Sequence, residues 1–90
     1  MVQTFDVHEC PACGYEGLDE PAWNGDSPSG DICPCCGMQF GYYDLGRRVP
    51  LFYEGWRIRW LVEGGHWWSR SRLAPDGWSA DRQVEKFKSA

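Results

Sequence analysis

Cys10-Pro11-Ala12-Cys13-Gly14 and Cys33-Pro34-Cys35-Cys36-Gly37 are two copies of one pattern, Cys-Pro-x-Cys-Gly, with nineteen residues between Cys13 and Cys33. Two cysteines three apart on a tight turn can bring both sulfurs to one ion at roughly 2.3 Å, and two such turns complete a tetrahedron. Proline after the first cysteine pre-sets the turn, and glycine after the second accepts positive φ. Backbone N–H groups along such a turn can point at the thiolates and offset their charge. Paired Cys-x2-Cys units separated by about 15–20 residues are a strong zinc signal.

Aligning the copies fixes the ligand set. Cys33 falls opposite Cys10 and Cys36 opposite Cys13, whereas Cys35 falls opposite Ala12, a position the pattern leaves free. Cys10, Cys13, Cys33 and Cys36 are therefore the expected ligands of one structural Zn2+, with Cys35 a spare thiol. His8 is expected on a short strand leading into the first knuckle, outside the site. Four cysteines close the coordination shell, whereas a catalytic zinc keeps an open position. Iron in the same thiolates is the lesser alternative.

Outward from the knuckles, length and charge narrow the possibilities. Ninety residues form one domain too small for a generous apolar core, so a staple is expected. Residues 1–45 hold eight acidic side chains and no lysine or arginine. Residues 46–90 hold all nine basic residues against five acidic ones. The halves carry −8 and +4, which suits their packing on each other. Met1 to Asp6 contains no basic or apolar signal region, and no apolar run approaches a membrane span. A reducing, cytoplasmic location is expected, where paired cysteines hold metal more often than they form disulfides.

The stretch Cys10-Pro11-Ala12-Cys13-Gly14-Tyr15-Glu16-Gly17-Leu18-Asp19-Glu20, followed by Gly30-Asp31-Ile32-Cys33-Pro34-Cys35-Cys36, resembles the bacterial cysteine-rich CPCC family of small zinc-ribbon-like proteins. The resemblance covers roughly residues 8–45 and implies metal-binding roles for Cys10, Cys13, Cys33 and Cys36. The chain departs from it at Ala12, where the family has a third cysteine, and in a longer insert from Pro21 to Gly30. The knuckles, with Gly14-Tyr15 after the first pair, also look like those of rubredoxins, although the segment between them is shorter here.

The expected fold is a small α+β metal-bound domain: a zinc-ribbon or rubredoxin-like knuckle pair with short antiparallel strands, followed by one or two helices. Residues 5–9, 31–32 and 38–43 are the expected strands, and Pro21 to Gly30 reads as a loop anchored by Trp23. Residues 51–63 read as a helix begun near Pro50 and stopped at Gly64-Gly65, although Trp56-Arg57-Ile58-Arg59-Trp60 would also suit a strand. Phe52, Trp56 and Trp60 form one stripe on that helix, and Leu51, Ile58 and Val62 a second. Both need cover, one from the zinc ribbon and the other from the C-terminal tail or from another chain. Ser79 is expected to cap a final helix over 80–88, with Val84 and Phe87 facing inward. Residues 1–45 would be the ribbon and 46–90 a helical Arg/Trp-rich extension packed on it, in a single domain.

No catalytic constellation appears in the sequence. His66 beside two tryptophans reads as a packed or helix-end residue rather than a general base. Fourteen aromatics exceed what so small a core can hide, and tryptophan and arginine are enriched at energetic centres of interfaces. The first functional expectation is thus a zinc-stabilised, non-enzymatic module for protein partners or self-association. Its candidate surface is Trp56, Arg57, Arg59, Trp60, Trp67, Trp68, Arg70 and Arg72. The same aromatic and arginine side chains could instead stack and pair with a single-stranded nucleic acid. Rubredoxin-like electron transfer is the third expectation.

Overall fold

The structure, a computed structural model, describes residues 8–88. It contains two antiparallel strands, two helices and a buried cluster of cysteines around which the elements are arranged.

The two knuckles repeat each other in backbone as in sequence. Cys10 N–H donates to Tyr15 O at 2.8 Å and Gly14 N–H to Cys10 O at 2.9 Å. The second knuckle has the same pair: Cys33 N–H to Met38 O at 2.8 Å and Gly37 N–H to Cys33 O at 2.9 Å. Gly14 and Gly37 take φ values of +86° and +80°, which a side chain would strain. A Cβ on Gly37 would also lie 2.6 Å from Cδ1 of Trp68. Gly37→Ala is expected to lower stability by more than the roughly 1–2 kcal/mol of the left-handed backbone alone. Gly46, at φ +74° with open space around it, supplies the comparison, because its alanine variant meets only the backbone cost. Urea midpoints of the two variants measure the difference, and equal shifts would refute the contact.

The strands differ from those expected. The segment 5–9 lies outside the described residues except for His8 and Glu9, which sit in a turn and bend. Between the knuckles, where the sequence reads as loop, Trp23–Asn24 (β1) pairs antiparallel with Ser27–Pro28 (β2) across a tight turn at Gly25, φ +62°. The expected strand over 38–43 contracts to a single bridge, Ile32 to Gln39. Phe40 is buried and its N–H reaches Asp31 O, but Gly41 at φ +90° then turns the chain, so no ladder propagates.

The long helix α1 spans Pro50–Val62, with Pro50 in its first turn, where the missing N–H costs nothing. Its end is a Schellman closure: Gly65 N–H bonds Trp60 O at 2.9 Å and Gly64 N–H bonds Leu61 O at 3.0 Å, with both glycines at positive φ. Tyr53 and Trp60 are buried and Phe52, Trp56, Arg57 and Leu61 half-buried, whereas Leu51, Ile58 and Val62 are open to solvent. The second stripe is thus uncovered among the described residues. The final helix is split into α2 (Ala80–Gln83), capped by Ser79 Oγ, and a 3-10 turn over Val84–Phe87. Val84 faces inward. Phe87 does not; it lies at the surface, with the Arg57 guanidinium 3.7 Å from its ring centroid.

Asp44 is a buried carboxylate at the junction of these pieces. Oδ2 accepts from Trp23 Nε1 at 2.8 Å and from the Tyr53 hydroxyl at 2.6 Å, and Oδ1 accepts from Gly41 N–H at 2.7 Å. One side chain thereby ties β1, the turn after the second knuckle and α1. Burial pushes the Tyr53 hydroxyl above its ordinary range, and the bond to Asp44 adds to the effect. The phenol therefore stays a donor at neutral pH.

Candidate metal centre

Cys10, Cys13, Cys33 and Cys36 are all buried, and their four Sγ atoms lie within 4.8 Å of one another. Cys10 to Cys36 is 3.8 Å and Cys13 to Cys33 is 3.7 Å. A tetrahedron with metal–sulfur bonds of about 2.3 Å has edges of about 3.8 Å, so this donor set fits a tetrathiolate ion. The quartet is the one expected from aligning the knuckles, and it gathers from two turns far apart in the chain.

Four thiols this close cannot ionise independently. Hydrogen bonds from Cys10, Cys13 and Cys36 hold the Cys33 thiol well below the usual thiol range, helped by the backbone N–H of Cys36. Hydrogen bonding with Cys10 and Cys33 pushes Cys13 in the opposite direction. Four sulfurs packed this closely repel one another as they ionise, and a divalent cation relieves that repulsion.

The fifth cysteine is not part of this quartet. Cys35 is buried, and its sulfur accepts from Gln83 Nε2 at 3.2 Å. His8 donates through Nδ1 to Leu18 O at 2.7 Å, which ties the first knuckle to the chain that follows it.

A second regularity surrounds the centre. A knuckle that aims N–H groups at its sulfurs turns carbonyls outward, and donors from the C-terminal half meet them. Arg57 bonds Ala12 O at 2.9 Å, Gln83 Nε2 bonds Cys13 O at 3.0 Å and Lys86 Nζ bonds Gly14 O at 2.9 Å. On the second knuckle, the backbone N–H groups of Trp68 and Ser69 reach Cys35 O at 3.0 Å and Pro34 O at 2.8 Å. Arg72 reaches Gly17 O at 3.1 Å and pairs with Asp19, while Lys86 pairs with Glu9 and Glu16. Burial tends to lower the Lys86 ammonium, but the two glutamates outweigh it and hold the group above its ordinary value. The opposed charges of the two halves thus meet around a centre that four thiolates and one divalent ion would leave at about −2.

This arrangement divides the surface residues singled out in the sequence. Arg57 and Arg72 serve the knuckles. Trp60 is buried and donates Nε1–H to His66 O at 2.8 Å; Trp67 is half-buried, donates to Arg72 O at 2.6 Å and meets Tyr15 and Trp78 edge to face. His66 itself is exposed and gives its carbonyl to that Trp60 bond. Arg70 is exposed away from these contacts. Trp56, Arg59 and Trp68 do come together. With Tyr43, Arg47 and Phe52 they line an open groove of about 510 Å³ that reaches Cys36 and Gly37. Trp68 is 53 % exposed. Gln83, Lys86 and Asp44 carry roles the sequence did not signal, since each acts on residues far away in the chain.

Among the described residues, no helix is long and apolar enough to cross a membrane.

The chain is similar to the uncharacterized protein YoaQ of Bacillus subtilis, with 49 % identity over 70 residues covering 63 % of this chain and 59 % of that protein. It is also similar to the uncharacterized protein YozI of the same organism, at 41 % identity over 72 residues covering 64 % and 60 %. The chain thus spans about three fifths of the length of these relatives. No family model matches it, and no solved structure matches it.

Proposed function

We propose that the chain is a small, non-enzymatic binding module of the CPCC type, a zinc ribbon held by one structural Zn2+ and working through protein–protein contact in the cytoplasm. The observation that carries this reading is the closed, buried quartet of Cys10, Cys13, Cys33 and Cys36. With four protein ligands it has no open position for substrate or water, so the ion's role is to fold the chain. All five cysteines are free thiols, consistent with a reducing compartment.

The surface presented for contact is the groove of Trp56, Arg59 and Trp68. Exposed tryptophan beside arginine is the composition of an interface centre. Nucleic-acid binding is less supported, because Arg57 and Arg72, two of the four arginines it would draw on, are bound to backbone carbonyls of the N-terminal half.

Elemental analysis tests the first part: one zinc per chain in colourless protein is expected, and red, iron-loaded protein would turn the reading toward electron transfer. The second part is tested by affinity purification from the native host. Trp68→Ala should lose a co-purifying protein that the parent chain retains, with zinc content unchanged. If the same protein is retained by Trp68→Ala and Trp56→Ala alike, the groove is not the contact surface. Nucleic acid in the eluate, released steeply by salt, would replace this reading with the alternative.

A further inference from the structure

The outward face of α1 is Leu51, Glu54, Gly55, Ile58, Arg59, Val62 and Glu63, every one of them exposed. Leu51, Ile58 and Val62 are 76 %, 53 % and 80 % accessible, although they are the helix's aliphatic residues. Leu51, Gly55, Ile58 and Val62 are spaced four, three and four apart, which is the d-a-d-a seam of two heptads. Tyr53 and Trp60, buried against the rest of the chain, fall at the opposite f positions. Helix α1 therefore has two seams, and only one is used among the described residues.

Gly55 points to what uses the other. Glycine is the least favourable helix-interior residue after proline, and a Cβ built here meets nothing within 4 Å. No contact among the described residues requires it. At an a position of a helix pair, a missing side chain lets the two backbones approach.

Charge identifies the partner and its direction. In the same register Glu54 is a g residue and Arg59 the e residue five positions on, the pair that forms salt bridges between parallel helices. Glu54 makes no ion pair among the described residues, and Arg59 makes only the exposed one to Glu63, at 3.3 Å. A parallel two-fold pairing puts Glu54 of each copy beside Arg59 of the other. An antiparallel pairing of the same seam would set Glu54 beside Leu61 and Arg59 beside Phe52, leaving both charges unanswered. A partner that presents this same face satisfies the seam, the glycine notch and both charges.

We infer that the outward face of α1 is a homodimer interface, in which a second copy of this chain packs parallel along Leu51, Gly55, Ile58 and Val62 with reciprocal Glu54–Arg59 pairs. The inference goes beyond the groove reading, from which it differs in partner and, Arg59 apart, in surface. Two heptads bury less than a standard interface, so the dimer is weak, with a dissociation constant on the order of 10–100 µM.

Sedimentation equilibrium of the zinc-loaded full chain, from about 10 µM to about 1 mM, tests it across that range. The parent chain should pass from monomer to dimer. Ile58→Asp and Glu54→Arg should each weaken association at least tenfold while leaving the thermal midpoint at low concentration unchanged, since neither side chain is packed within the chain. The double variant Glu54→Arg/Arg59→Glu should recover dimerisation, which a merely sticky apolar face would not do. A parent chain that stays monomeric at the top of the range overturns the inference. So does a dimer indifferent to both single variants, or a charge-swapped chain that fails to recover. Trp68→Ala should dimerise normally, so failure here is separable from failure of the groove.

Discussion

Cys33→Ser, or removal of the ion by a strong chelator, should abolish the cooperative fold altogether. Structural zinc supplies on the order of 10 kcal/mol or more toward folding in domains of this kind, and a chain of ninety residues has about that much net stability or less. What would remain is a core centred on a cluster of cysteines with nothing to hold them together, flanked by strands two residues long. Circular dichroism before and after chelation, with released zinc counted by a chromophoric indicator, measures the effect. An unchanged, cooperative thermal transition in metal-free protein would defeat the whole account. The neighbouring position gives the contrast. Cys35→Ala sits in the same four-residue block but removes only an acceptor from Gln83 Nε2, which keeps its bond to Cys13 O. A loss of about 1–2 kcal/mol with full zinc content is expected there.

Asp44→Ala should have the next largest effect, about 3–5 kcal/mol in urea unfolding. Its carboxylate accepts three hydrogen bonds in a fully buried position, and truncation leaves the Trp23 indole N–H, the Tyr53 hydroxyl and Gly41 N–H without a partner. Each unsatisfied donor costs about 1–3 kcal/mol when it cannot reach water. Asp44→Asn keeps the volume and one acceptor but turns an amide N–H toward donors, so its loss should fall between that of alanine and the parent. Tyr53→Phe removes one donor and should cost about 1 kcal/mol, with a non-additive coupling to Asp44→Ala. The raised Tyr53 hydroxyl also predicts a pH dependence. Its contribution is complete below the ordinary phenol value of 10.0 and is lost as pH rises above it, when the unfolded chain ionises first. An Asp44→Ala variant within 1 kcal/mol of the parent would show that water replaces the carboxylate.

These two sites differ in how far they could be read in advance. The knuckles were legible because a site able to hold one ion has a fixed chemistry: two sulfurs per turn, a proline, a glycine at positive φ, and a repeat that excludes Cys35. Helix α1 was legible from Pro50 and from the paired glycines that close it. Its alternation at residues 56–60, which also suits a strand, reflects instead Trp56 and Trp60 lying over the body with Ile58 outward. The strands were not legible. Two-residue pairings such as Trp23–Asn24 with Ser27–Pro28 carry no periodicity, and Gly41 ends what the sequence of residues 38–43 suggests. Nor was the division among arginines and tryptophans. Nothing local marks Arg57 as a ligand for Ala12 O or Arg59 as a solvent residue two positions later, because the difference lies in which knuckle carbonyl happens to face the helix. Asp44 looked like the last acid of an acidic half, and its burial depends on a tyrosine and a tryptophan nine and twenty-one positions away.

The carbonyl bonds from the C-terminal half also set an order of events during synthesis. All four sulfurs of the quartet have left the ribosome once Cys36 is clear of the exit tunnel, yet Trp68 and Ser69, which close over Pro34 and Cys35, have still to emerge from it, and Gln83 follows later still. A nascent chain could thus capture an ion early but close over it only once Gln83 has emerged. In between, an outside ligand could still reach the ion and exchange it.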